Sequence, residues 1–201
     1  PATRVAALAA AGQICFGENR VQEARAKQCE LAETPSLLAA AGQALPLQWH
    51  LIGPLQRNKA KLAAGIFQMI HSVDTLPLAQ TLSAALMQGE SLPILLQVNI
   101  GRESQKQGVL AEELLPLLQQ VAQLPGLAVQ GLMAIPPWTA TAEEARPYFR
   151  ALARLAQQMA AEKIAGVCMN ELSMGMSQDF EVAIEEGATW VRVGSALFGA
   201  R

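Results

Sequence analysis

Two segments near the C-terminus carry the residue types for anion binding: Ser173-Met174-Gly175-Met176-Ser177 and, after an acidic, helix-like stretch, Val191-Arg192-Val193-Gly194-Ser195 running on to Gly199. Each apolar run ends in Gly and Ser. Turns of that kind leave backbone N–H groups free and set small hydroxyls beside them, so a phosphate monoester could be held there. Ser173 would donate a hydroxyl to a phosphate oxygen, while Gly194 and Ser195 would form the facing wall, glycine letting the backbone come close. The same composition also suits ordinary strand–helix turns. Arg192 is the sharper feature, because a charge inside Trp190-Val191-Arg192-Val193 must meet either a buried carboxylate or a polar cavity.

Other polar residues are less committed. Asn19 sits just past an apolar run and could contact a ligand or simply shape a turn. Glu18 either orients its neighbours or faces solvent. His50 reads equally well as a satisfied core histidine and as a functional one, and His71 has less support. No spacing of His, Cys, Asp and Glu matches a metal site. Cys15, Cys29 and Cys168 are odd in number and widely spaced, which predicts reduced, buried thiols and a cytoplasmic setting.

Composition limits the partners. With 15 Lys+Arg against 17 Asp+Glu and 51% hydrophobic residues, the chain of 201 residues predicts one well-packed domain with no broad nucleic-acid or membrane surface. No run approaches the roughly 18 apolar residues of a membrane span. Small ligands are the better expectation.

Short β-rich runs alternate with amphipathic stretches, the pattern of βαβ units around a parallel sheet. Strands are expected at Gln13–Phe16, Gln48–Ile52, Met69–Val73, Ile94–Asn99, Ala128–Ala134, Gly166–Leu172 and Trp190–Val193. Helices are expected at Pro1–Ala11, Ala60–Ala64, Leu76–Met87, Glu113–Ala122, Ala142–Ala161 and Asp179–Glu186, with Ser177 and Asp179 competing as the cap of the last. Pro1–Ala11 has no strand before it. One leading strand upstream of Pro1 would make the eight that close a (β/α)8 TIM-type barrel, whose ligands gather at the loops after the strands. The polar residues above fall in or beside such loops, as do Asp74, Asn99 and Pro136-Pro137.

Four segments, in order, resemble the YggS/PROSC family of pyridoxal 5′-phosphate (PLP) homeostasis proteins. They are Phe16-Gly17-Glu18-Asn19-Arg20-Val21-Gln22-Glu23, Trp49-His50-Leu51-Ile52-Gly53-Pro54-Leu55-Gln56-Arg57-Asn58-Lys59, Gly131-Leu132-Met133 with Pro136-Pro137, and the Ser173 to Phe198 region. The resemblance implies a single barrel over 1–201 like the alanine racemase N-terminal domain, with PLP as a Schiff base on a lysine at the end of the first strand. That lysine would lie upstream of Pro1. Lys27, Lys59, Lys61 and Lys163, expected on helices, and Lys106, in or beside a loop, are poor substitutes. The family pattern further implies that Asn19 contacts the ring or its 3-hydroxyl, that Ser173, Gly194 and Ser195 hold the phosphate, and that Arg192 faces the pyridine nitrogen.

What the resemblance implies for function is a monomeric carrier or buffer of PLP, serving PLP-dependent enzymes, with little turnover. An arginine at the ring nitrogen disfavours its protonation and weakens the ring as an electron sink. A PLP-dependent racemase is the alternative, and it needs two bases, one of them the upstream lysine. The only tyrosine, Tyr148, falls on an expected surface helix. A barrel binding another phosphate ester is the third reading.

Overall fold

The computed structural model describes residues 1–34 and 47–199. Its frame is a seven-stranded parallel sheet in which every strand pairs with its neighbours in sequence. The strands are β1 (Cys15–Glu18), β2 (Gln48–Leu51), β3 (Met69–Val73), β4 (Leu92–Val98), β5 (Leu127–Ala134), β6 (Val167–Met176) and β7 (Trp190–Arg192). The helices are α1 (Ala2–Ala10), α2 (Val21–Glu33), α3 (Ala60–Ile66), α4 (Leu76–Ser83), α5 (Leu114–Val121), α6 (Ala142–Ala161), α7 (Phe180–Glu185) and the short α8 (Ser195–Phe198). The sheet curls into a nearly closed barrel with helices outside. An eighth strand was expected upstream of Pro1, beyond the residues described.

The period-2 alternation of strands divides the molecule into two cores. Trp49 and Leu51, Ile70, Ile94, Leu96 and Val98, Leu132, and Leu172 and Met174 belong to the large cluster shared with the helices. Helix α6 contributes Ala145, Phe149, Leu152, Ala156 and Met159 to it, a spacing that keeps one stripe on the sheet. Burying a side chain such as Phe149 or Leu152 stabilises the fold by about 2 kcal/mol. The alternate positions point into the barrel. There the apolar cluster is small, Met69, Leu95 and Met133, with Ile135 against it. Beside it lie buried polar side chains, His50, His71, Gln97 and Ser173, with the Trp190 ring against the two histidines.

Several expectations need correcting. Strand β6 runs on to Met176, so Ser173 is a strand residue and not part of a turn. It pairs with Met133 and with Trp190. The turn that the small residues signal comes later, at Ser177–Asp179, while Gly175, still within β6, has a φ of +89° where the register between β6 and β7 shifts. Helix α4 stops at Ser83, four residues short of expectation. Lys163 lies beyond the end of α6, with φ +50°. Cys29 and Cys168 are exposed and only Cys15 is partly covered. Cys168 falls in the first half of β6, which β7 does not reach, and Cys29 on the outer face of α2.

Candidate functional site

At the C-terminal ends of the strands, a cavity of about 800 Å³ is lined by Asn19, Ile52, Lys106, Ile135, Pro136, Trp138 and, from the last two strand–helix loops, Ser177, Asp179, Arg192, Gly194 and Ser195. Six different strand ends supply those residues. Asn19 follows β1 and Ile52 follows β2, the two loops being joined by the Ile52 N–H donating to the Glu18 carbonyl at 2.9 Å. A shallower depression of about 370 Å³, lined by Gln28, Leu31, Trp49 and Ile66 among others, lies on the helix side and, among the described residues, gathers no charged group.

At one end of the cavity, backbone amides and small hydroxyls come together. The Gly194 and Ala196 N–H groups both donate to the Ser177 hydroxyl oxygen, at 3.1 and 3.4 Å. Ser177 is free to do this because Asp179, not Ser177, precedes α7. The Asp179 carboxylate accepts from the Met176 N–H at 2.6 Å and so closes the loop. Gly194 owes nothing to backbone strain or crowding: its φ is −115°, and a Cβ there would meet no protein atom within 4 Å. Gly194 lines the cavity, and the position of its missing side chain is open. Gly175 is the opposite case, since its left-handed φ coincides with a Cβ position 2.5 Å from Ala183 Cβ.

Arg192 forms the deeper part of the site. Its Nη1 donates to the Ser173 hydroxyl at 2.8 Å and its Nη2 to the Ala134 carbonyl at 3.0 Å. Among the described residues it has no carboxylate partner. Burial pulls its pKa down to about 10, with Asp179 opposing the shift, so the guanidinium stays protonated at neutral pH. The polar-cavity reading of this residue therefore fits, and the buried ion pair does not.

Ser173 is where geometry departs from expectation. It is fully buried and lies off the cavity wall, with its hydroxyl taken up by Arg192 and by His71 Nδ1 at 2.8 Å. The hydroxyl that meets the Gly194 and Ala196 amides is Ser177. Behind Ser173, His71 Nε2 lies 3.1 Å from His50 Nδ1. Burial lowers His50 to about 4 despite Glu171, and lowers His71 to about 3 with the help of His50 and Arg192, so both rings are neutral. These two histidines, left open as core or functional residues by the sequence, connect to the site through Ser173. The available signal was a pair of polar side chains at inward positions of β2 and β3.

The remaining candidates have structural partners. Asp74 accepts from the Gly108 N–H, and Asn99 donates to the Glu103 carbonyl, both pinning the loop after β4. Lys106, from that loop, reaches the cavity with its Nζ on the Pro136 carbonyl at 3.0 Å and paired to Glu103 at 2.5 Å. Glu18 is buried against Lys27 at 2.6 Å. Among the described residues no group of His, Cys, Asp and Glu could hold a metal ion, and no helix is long and apolar enough to cross a membrane.

Amides and hydroxyls at one end, a donor-only cation at the base and apolar Ile52, Ile135 and Pro136 on the walls fit a flat heteroaromatic phosphate ester. The family of the alanine racemase N-terminal domain matches residues 1–201. A pyridoxal phosphate homeostasis protein of Pseudomonas aeruginosa is 48% identical over 100% of this chain and 80% of its own length. PipY of Synechococcus elongatus PCC7942, solved with PLP bound, superposes with TM-score 0.86 and 40% identity, covering 99% of this chain and 88% of PipY. An alanine racemase of Clostridium difficile 630 shares the fold at TM-score 0.65 and 18% identity, covering 100% of this chain and 48% of the racemase. The chain belongs to the alanine racemase N-terminal domain family and, within it, to the pyridoxal phosphate homeostasis proteins.

Proposed function

We propose that this protein binds PLP reversibly in the cavity at the strand ends and carries or buffers it inside the cell, passing it to PLP-dependent enzymes. The observation that supports this most is the pairing of the Gly194–Ser177 anion pocket with Arg192 in one cavity. Gly194, Ser195 and Ser177 would take the phosphate, and Asn19 would meet the ring from the first loop. Arg192 would face the ring nitrogen. Ser173 acts one step back, through Arg192.

Bound PLP supplies an aldehyde and an electron-accepting pyridine ring. The residues here restrain that chemistry. A protonated Arg192 opposes protonation of the ring nitrogen by like-charge repulsion. Proton transfer to and from a substrate carbon needs placed bases. Among the described residues the cavity is lined by no histidine, cysteine or tyrosine, its one amine, Lys106, is paired with Glu103, and its one carboxylate, Asp179, is tied to the Met176 N–H. The reading is accordingly a carrier with little turnover, working as a monomer whose site is built from one chain.

Titrating full-length protein with PLP, followed by absorbance, tests this. Saturable binding that inorganic phosphate competes away is expected. Failure to bind, or binding indifferent to phosphate, would sink it.

A further inference from the structure

The interior chain of hydrogen bonds has a direction, and the direction is imposed by chemistry. A guanidinium has no acceptor, so Arg192 must donate to Ser173 Oγ. The Ser173 hydroxyl proton then needs an acceptor of its own, and the neighbouring polar atom is His71 Nδ1. A neutral His71 that accepts at Nδ1 carries its proton on Nε2. That proton points at His50 Nδ1, which leaves the His50 proton on Nε2 as well. One tautomer of each ring satisfies the whole series. Each donor in such a row polarises the next, so the Ser173 oxygen becomes a better acceptor for Arg192.

The row also spans the barrel. Arg192 and Ser173 stand on the neighbouring strands β7 and β6, while His71 and His50 stand on β3 and β2, so the Ser173–His71 contact bridges strands separated by β4 and β5. Trp190 is set edge-on to both rings, at centroid distances of 4.9 Å from His50 and 6.1 Å from His71, which limits their rotation.

We propose that His71, backed by His50, is a positioning residue for PLP: it holds Ser173 so that the Arg192 guanidinium is clamped in one plane, with its remaining N–H groups presented to the pyridine end of the cofactor. This rests on PLP occupying the cavity as read above. The device acts at the ring end only. The amides of Gly194 and Ala196 and the Ser177 hydroxyl lie at the other end and do not depend on it.

Two measurements on the full-length protein test it. The first needs no PLP: nitrogen-15 NMR of histidine-labelled protein, with His71 assigned by its loss in His71→Asn. The Nε2–H tautomer is expected for both rings, and an Nδ1–H His71 overturns the relay whether or not PLP binds. The second compares His71→Leu, His71→Asn and Ser173→Ala for affinity to PLP and to inorganic phosphate. Asn can place an acceptor near where Nδ1 stood. His71→Leu and Ser173→Ala should each weaken PLP about tenfold, as expected for loss of one buried charge-assisted bond, and leave phosphate within about twofold. His71→Asn should recover most of the loss, and the Leu/Ala double variant should add nothing to either single one. Equal PLP affinity in all variants overturns the proposal. So does a parallel loss of phosphate affinity that His71→Asn fails to rescue, which would mark His71 as merely structural. Wild-type protein that shows the expected tautomers yet ignores PLP would instead contradict the proposed function.

Discussion

The rim of the barrel and its interior are held together by different means. At the rim, Gly194, Ser195 and Ser177 are small, and the Gly194 and Ala196 backbone amides share one exposed partner, the Ser177 hydroxyl. In the interior, Arg192, Ser173, His71 and His50 are side chains from four strands, each fixed by the next. A rim site tolerates loss of one group because water replaces it. A buried row does not, since an orphaned donor or acceptor costs about 1–3 kcal/mol. The contrast implies that rim changes act on binding alone and interior changes act on binding and stability together.

Gly175, where strand and rim meet, should give the largest effect. Gly175→Ala combines a left-handed φ with overlap on Ala183, so a stability loss of about 2–4 kcal/mol is expected in chemical denaturation. A loss below about 0.5 kcal/mol would erase the distinction between this glycine and Gly194.

The interior should next reveal itself through pH. Unfolded histidines take up protons below about pH 6.5, whereas His50 and His71 in the fold resist until about 4 and about 3. The unfolded state therefore gains protons as pH falls through that window, and stability falls with it. The full contribution is present above pH 6.5, and the loss between pH 7 and 5 is on the order of 1–2 kcal/mol per ring. His71→Asn should remove one ring's share of that slope. An unchanged slope would mean that His71 is not buried and neutral.

Rim changes come last. Gly194→Ala should fold with wild-type stability, its Cβ meeting no protein atom, yet weaken PLP about tenfold, or about 1.4 kcal/mol. Ser177→Ala exposes two amides to water, so stability should shift by less than about 0.5 kcal/mol while PLP affinity falls only a few-fold. If Ser177→Ala proved as damaging to stability as Gly175→Ala, the rim would be no different from the interior.

The two regions also differed in how far they were readable from sequence. Asn19, Arg192, Gly194 and Ser195 all line one cavity, because residues that follow parallel strands converge wherever a barrel curls. Helix α6 was readable to the residue, Ala142 to Ala161, since its apolar stripe recurs at helical spacing. Ser173 was misplaced because Ser and Gly normally punctuate turns, and nothing local showed that the left-handed residue would be Gly175 two positions on. His71 was undervalued for a different reason. Its partner stands across the barrel on β6, and a contact between β3 and β6 is set by closure of the sheet, to which no local pattern points.

The most direct test of the central claim compares PLP with pyridoxal, which lacks the phosphate, on full-length wild-type and Gly194→Ala protein. Wild type should favour PLP by about a hundredfold or more, a phosphate held by several charge-assisted bonds contributing at least about 3 kcal/mol. Gly194→Ala should narrow that gap about tenfold, by weakening PLP alone. Equal affinities for PLP and pyridoxal in the wild type, or an unchanged gap in the variant, would contradict the assignment of the phosphate to the Gly194 pocket.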